Sequence, residues 1–163
     1  MRIYTIGYGN KSLAQLQSRL EPFHVVMLVD VRSSPYSKYM REFDLENLRL
    51  ELAGSSITYE YLGDLLGGMP KDPALLTNGR ADLEKLRASK AYESGLNKLK
   101  QWSDSGKMMA LLCGCSKPME CHRGRLLGPS IEASGWAEVW HIDMDGNARK
   151  HENSEATVQL DLF

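Results

Sequence analysis

Val25-Val26-Met27-Leu28-Val29-Asp30-Val31-Arg32 is the stretch that decides the fold. From Val25 to Val31 every residue except Asp30 is apolar. A strand with one wetted face alternates apolar and polar residues. A strand that is apolar on both sides belongs in a sheet covered on both faces, the setting of parallel strands between helix layers. Asp30 stands at the end of that run, so its carboxylate must be paired or functional.

Working outward, short apolar runs alternate with helical patterns. Arg2–Ile6, Ile57–Leu62, Met108–Leu112 and Ala137–Ile142 read as further strands. Ser12 caps a helix through Leu20, with Leu13, Leu16 and Leu20 on one face. Phe43–Leu52 and Cys121–Ser134 read as helices, and Asp82–Trp102 as a helix with a break near Ser89 or Gly95. Gly63–Pro73, rich in Gly and Pro, reads as an ordered loop. The alternation predicts a three-layer, Rossmann-like α/β fold, with a mostly parallel sheet of about five strands flanked by helices. Residues 1–145 are expected to form this single domain. Residues 146–163 read as a polar tether ending in Gln159-Leu160-Asp161-Leu162-Phe163.

The chain has 163 residues, 42% of them hydrophobic, which is enough for one well-packed core without metals or disulfides. The formal charge of −1 argues against coating DNA or a membrane by bulk electrostatics. Met1–Asn10 has neither the apolar core nor the cleavage pattern of a signal peptide, and no apolar run is long enough to span a bilayer. The 3 cysteines all lie between Cys113 and Cys121, unlike a disulfide scaffold, so a reducing, cytoplasmic setting is expected.

Sites in parallel sheets form beyond the carboxyl ends of the strands. Five segments should share that rim: Gly7–Asn10, Asp30–Tyr39, Tyr59–Gly68, Cys113–Arg123 and His141–Asp143. In Cys113-Gly114-Cys115-Ser116-Lys117-Pro118-Met119-Glu120-Cys121-His122-Arg123, a buried strand delivers Cys113 and a helix is expected to begin near Cys121. A helix start suits a thiolate or an anion; Arg123 would grip phosphate or carboxylate, and His122 would move a proton. The phosphatase spacing of Cys, five residues, then Arg does not occur. The C-x-C-x5-C-H pattern matches no standard zinc spacing, and adjacent Cys and His rarely reach one ion, so no metal and no cofactor are expected. Packing of Cys113 and Cys121 as small buried residues is the plainer reading of each alone.

Asp30 and Arg32 read either as a structural ion pair or as a catalytic carboxylate beside an anion-binding arginine, with Ser33 and Lys38 adding contacts. Gly7, Tyr8 and Gly9 read as a tight strand–helix turn or as a backbone approach to a ligand; a lone G-x-G is weak evidence for the latter. Tyr59 is placed at the site and Tyr61 in packing. The expected catalytic set is Asp30, Cys121 and His122. The expected substrate-binding set is Gly7, Tyr8, Gly9, Arg32, Ser33, Lys38, Tyr59, Cys113 and Arg123.

TIGYGN at 5–10, LVDVRSSPYSKYMREF at 28–43, ITYEYLGDLLGG at 57–68 and the strand cysteine followed by ECHR at 120–123 together resemble the DUF488 family. The resemblance runs from about Ile3 to Ile142. It implies the α/β fold and a rim site, with the family's polar positions falling on Asp30, Arg32, Ser33, Tyr59, Cys113, Cys121, His122 and Arg123. Relatives carry an acidic residue soon after the strand cysteine. Here the residues are Cys113-Gly114-Cys115, and Glu120 is the nearest acid. Separately, Gln159-Leu160-Asp161-Leu162-Phe163 resembles the bacterial sliding-clamp-binding motif, with Gln159 as the polar contact and Leu160, Leu162 and Phe163 as the other motif positions.

The leading expectation is therefore an enzyme acting on nucleic acid or a nucleotide-like substrate, of hydrolase or transferase type in DNA repair or modification. The sliding clamp would recruit it. The alternatives are a cysteine-dependent redox or sulfur-transfer enzyme, with Cys121 as its thiolate, and a non-catalytic module that binds a phosphorylated ligand.

Overall fold

A computed structural model describes residues 1–153. Strand β1 (Arg2–Gly7) is followed by α1 (Leu13–Leu20), β2 (Met27–Asp30), α2 (Leu45–Leu52) and β3 (Thr58–Tyr61). A short helix α3 (Gly63–Leu66), a small hairpin of β4 (Leu76–Thr77) and β5 (Arg80–Ala81), and helices α4 (Leu83–Arg87) and α5 (Lys90–Asp104) lead to β6 (Met109–Cys113). The described chain closes with α6 (Gly128–Ser134), β7 (Glu138–Ile142) and β8 (Ala148–Lys150). The main sheet has the order β3-β2-β6-β1-β7-β8; all its pairings are parallel except β7 with β8.

The strand period of two sorts the apolar side chains into two cores. Ile3, Met27, Val29, Met109 and Leu111 face α3, α5 and α6, where they meet Leu66, Leu99 and Ile131. Tyr4, Ile6, Leu28, Ala110 and Leu112 face α1 and α2, where they meet Leu16, Leu20 and Leu48. This is the three-layer arrangement expected from the doubly apolar run at Val25–Val31. The Ser12 cap is also present: its hydroxyl accepts from the Gln15 amide at 3.2 Å while the Gln15 side chain accepts from the Ser12 amide at 2.9 Å. The long helix breaks at Ser89, which caps α5, while Gly95 stays helical against Leu66.

Three boundaries differ from expectation. Gly63 begins α3 instead of a loop, because that helix packs directly on α5. Thr77-Asn78-Gly79-Arg80 makes a hairpin, with positive φ at both Asn78 (52°) and Gly79 (71°). The domain also continues past 145. The Asp143 carboxylate accepts from the amides of Asp145 and Asn147 at 3.0 and 2.9 Å, turning the chain back so that β8 pairs with β7 as a sixth strand. His151, expected in the tether, is buried. Gln159, Leu160, Leu162 and Phe163 lie outside the described residues. Among the described residues, no helix is long and apolar enough to cross a membrane.

Two glycines allow backbones to touch at the carboxyl rim. A Cβ on Gly7 would lie 1.9 Å from the Cys115 carbonyl oxygen, and one on Gly63 would lie 1.8 Å from that of Arg32. Replacing Gly63 with Ala must push α3 off the Arg32 loop, at a cost of about 1–3 kcal/mol in urea unfolding. Gly54→Ala, at a position with nothing within 4 Å, serves as the neutral control.

Burial, with His151 and the Arg123 charge adding to it, pushes the His141 imidazole down to about 4 from 6.5. An unfolded chain takes up that proton as pH falls through 6.5, whereas the folded chain resists until about 4. Stability should therefore decline across that window, by up to about 3 kcal/mol at its acid end. Urea midpoints measured against pH should show this acid limb, and His141→Gln should flatten it.

Candidate active site: two thiols and an imidazole at the sheet rim

Strand β6 carries Cys113 to the carboxyl rim. The chain after it is held against β1 by the Tyr8 amide donating to the Cys113 carbonyl (3.1 Å) and the Gly9 amide donating to the Gly114 carbonyl (3.0 Å). A single tight turn, Pro118–Glu120, returns the chain to the same place. Cys121 is extended and His122 is helical. The chain then enters a five-residue π-helical turn, Arg123–Leu127, ahead of α6. The expected regular helix from Cys121 is therefore irregular at its start, and the Cys121 amide is occupied by the Pro118 carbonyl at 3.1 Å.

This path gathers three reactive atoms. Cys121 Sγ lies 3.5 Å from Cys113 Sγ and 3.5 Å from His122 Nδ1, and Cys113 Sγ lies 4.0 Å from the same nitrogen. His122 Nε2 is 3.0 Å from the Val31 carbonyl oxygen. A carbonyl only accepts, so Nε2 carries a proton, and Nδ1 is left facing the sulfurs. The objection that adjacent Cys and His cannot converge does not hold here, because the switch from extended to helical backbone brings both side chains to one side.

The two thiols are unequal. The hydrogen bond between the two sulfurs does most to hold the Cys121 thiol far below its ordinary value; burial opposes this, and His122 and Arg123 add to it. The same hydrogen bond, with burial, pushes Cys113 far up. The two sulfurs are thus pushed in opposite directions, Cys121 toward the thiolate and Cys113 toward the thiol.

Arg123 was expected to grip substrate, but it is fully buried behind the cluster. Its guanidinium donates to Thr5 Oγ1 at 3.2 Å and to the Cys115 carbonyl, and Nε has no partner. Among the described residues no carboxylate pairs with it. It therefore acts as a positive charge beneath the thiols and out of substrate's reach.

Asp30, expected as a catalytic base, is also fully buried. Oδ1 accepts from the Arg32 amide (3.1 Å) and Nε (2.9 Å), and Oδ2 accepts from Arg32 Nη2 (2.6 Å) and the Tyr59 hydroxyl (2.7 Å). With both oxygens doubly engaged, the carboxylate is structural, and Tyr59 is drawn into its support. Arg32 Nη2 also donates to the Phe43 carbonyl at 2.7 Å. Gly7 and Gly9 contact the cysteine loop, at Cys115 and Ser116, and do not line the cleft. Lys38 lies over the Tyr39 ring, 5.3 Å from its centroid, outside the cleft.

The cluster opens into a cleft of about 860 Å³. Of the expected binding residues, Tyr8, Arg32, Ser33 and Cys113 line it, beside Cys121 and His122. The sequence reading missed Met69, Lys71, Arg80 and Arg125. A signal for one of these was present, since Asn78-Gly79 turns the hairpin that presents Arg80; separately, Gly68 leaves room for His122, whose Cβ a side chain at Gly68 would strike at 2.6 Å. Lys71, Arg80 and Arg125 are exposed, and no salt bridge engages them among the described residues. Glu120, the cleft's carboxylate, is bound by Lys117 at 3.0 Å. The mouth is therefore cationic, although the whole chain is close to neutral.

The family model described as Domain of unknown function DUF488 matches residues 12–128, well over half of the chain, so the protein belongs to the DUF488 family. No curated protein and no solved structure matches it.

Removing the buried carboxylate should reveal its structural role. Asp30→Ala leaves the Arg32 guanidinium buried without its partner and should cost about 3–5 kcal/mol in chemical denaturation. Tyr59→Phe removes only one hydrogen bond to that carboxylate and should cost about 1 kcal/mol.

Proposed function

We propose that the protein is a cysteine-dependent enzyme of thiol–disulfide or sulfur-transfer type, acting on an anionic substrate. The observation that carries this reading is the 3.5 Å approach of Cys113 and Cys121 beside His122 Nδ1. The Cys121 thiolate attacks a sulfur of a substrate R–S–X. A new S–S bond forms, and X leaves with the electron pair of the broken bond. The Cys113 proton passes to His122 Nδ1, and the Cys113 thiolate then attacks Cys121 Sγ. The product is a Cys113–Cys121 disulfide plus R–S⁻. The substrate gains two electrons, and a cellular thiol reductant restores the pair. Lys71, Arg80 and Arg125 at the cleft mouth favour substrates carrying carboxylate or phosphate groups.

Peptide mapping after alkylation across pH tests the assignment. Cys121 should react with an apparent pKa well below the ordinary thiol value of about 8.5, and Cys113→Ser should raise it. Cys115, exposed with its thiol against the Lys117 carbonyl, serves as the comparison thiol in the same digest. Mild oxidation should link Cys113 to Cys121. Three thiols titrating alike would sink the reading.

A second proposal concerns recruitment and is carried by Gln159-Leu160-Asp161-Leu162-Phe163. We infer that this peptide docks on the bacterial sliding clamp, bringing the enzyme to DNA. A peptide of residues 153–163 should bind purified clamp at micromolar concentration, about −8 kcal/mol. Leu162→Ala with Phe163→Ala should abolish that binding. Unchanged clamp association after deleting residues 159–163 would remove the link to DNA.

A further inference from the structure

We propose that Cys113, Cys121 and His122 form a mononuclear site for a thiophilic cation of the zinc class, with a fourth coordination position open to the cleft. The inference uses only the geometry of the cluster and goes beyond its thiol chemistry. A tetrahedral zinc with bonds of about 2.3 Å to sulfur and about 2.05 Å to nitrogen sets its sulfurs about 3.8 Å apart and each sulfur about 3.6 Å from the nitrogen. The observed edges are 3.5 Å for S–S and 3.5 and 4.0 Å for S–N. All three donors lie within 4.8 Å of one another. Shifts of a few tenths of an ångström would set the three donors at three corners of the tetrahedron.

The imidazole is already set for such a role. Its Nε2 proton is held by the Val31 carbonyl, the outer contact that fixes a ligating histidine's tautomer and orientation. Nδ1 is thereby the atom left to bind. The donor set contains no oxygen, so it selects against magnesium and calcium and in favour of zinc-class ions. Two thiolates and a divalent ion sum to zero charge, a tolerable load for a buried site above the Arg123 guanidinium.

Cys115 is not a fourth ligand, since its thiol is engaged at the Lys117 carbonyl, 3.5 Å away. Three protein ligands and one open position is the arrangement of reactive sites, whereas structural zinc sites are closed by four. The cleft that the cluster lines also carries Lys71, Arg80 and Arg125, so the fourth ligand would be water or an anionic group. The ion would also cap the Cys121 thiolate, so metal binding and thiol attack would exclude each other.

Cobalt(II) titration of the reduced full chain is the direct test. One equivalent should give visible bands of tetrahedral cobalt and a near-ultraviolet thiolate-to-cobalt band, both lost on adding zinc(II). Cys113→Ser and Cys121→Ser should each halve the thiolate band and weaken binding at least about tenfold, while Cys115→Ser leaves both unchanged. If the first two variants do not fold, the wild-type chain still decides the matter. Zinc(II) should protect Cys113 and Cys121, but not Cys115, from alkylation, and a chelator should reverse this. Absence of the cobalt bands, retention of them in the Cys113→Ser, Cys121→Ser double variant, or their loss in Cys115→Ser would overturn the proposal. The metal-free alkylation profile reads thiol reactivity separately, so either reading can fail alone.

Discussion

The Arg123 guanidinium is fully buried, and no carboxylate among the described residues pairs with it. Such a charge is tolerable only if the fold surrounds it with acceptors and places an anion within its field. Donors run outward from it in one consistent direction. Arg123 gives to Thr5 Oγ1 on β1 at 3.2 Å, and the Thr5 hydroxyl gives to His141 Nδ1 on β7 at 2.7 Å. His141 Nε2 then gives to His151 Nδ1 at 3.0 Å, and His151 Nε2 gives to Asn153 Oδ1 at 3.1 Å. The chain of bonds ties β1, β7 and the segment after β8 to one cation and keeps His141 neutral. The other guanidinium nitrogen holds the Cys115 carbonyl, so the same cation that organises the central strands also folds the cysteine loop over their ends. After the hydrogen bond with Cys113 and the neighbouring His122, the same cation helps to push the Cys121 thiol below its ordinary value.

The layered fold was legible because apolar periodicity is a property of each element by itself. Val25–Val31 announced a strand covered on both faces, and Leu13, Leu16 and Leu20 announced the helix that covers one of them. Boundaries failed where a polar run made its own hydrogen bonds. The polar run from Asp143 reads as a turn followed, from 146, by a tether; the turn is there, made by the Asp143 side chain accepting two amides, but it leads into β8. Thr77–Arg80 failed for a related reason: the Asn-Gly signal for a hairpin was present but sits between strands too short to show an alternation.

The site was legible as a rim and illegible as a set of roles. Asp30, Arg32, Cys121, His122 and Arg123 all lie at or beyond the strand ends, as parallel topology requires, but burial divides them in a way that spacing does not reveal. Asp30 and Arg123 are the most charged-looking candidates and are both sealed inside, one with four hydrogen bonds and the other beneath a loop. Cys113, read either as packing or as substrate-binding, ends its strand with its sulfur 3.5 Å from that of Cys121. Convergence of Cys113 with Cys121 and His122 depends on one tight turn and one extended residue, which no periodicity encodes.

A formal charge of −1 understates how polarised the molecule is. Around the cleft, the acidic side chains are engaged by neighbours: Asp30 by Arg32 and Tyr59, Glu120 by Lys117. Lys71, Arg80 and Arg125 at the mouth and Arg123 beneath the thiols have no such partners among the described residues. Local potential therefore follows which charges are left unpaired, and the total is a poor guide to it. In the proposed function, a positive cleft over Cys121 would draw anions toward the attacking sulfur and favour its charged form in the same field. An electropositive surround lowers a cysteine's pKa and gathers an anionic substrate by one mechanism. The arrangement thus links reactivity to substrate charge without requiring a net basic protein.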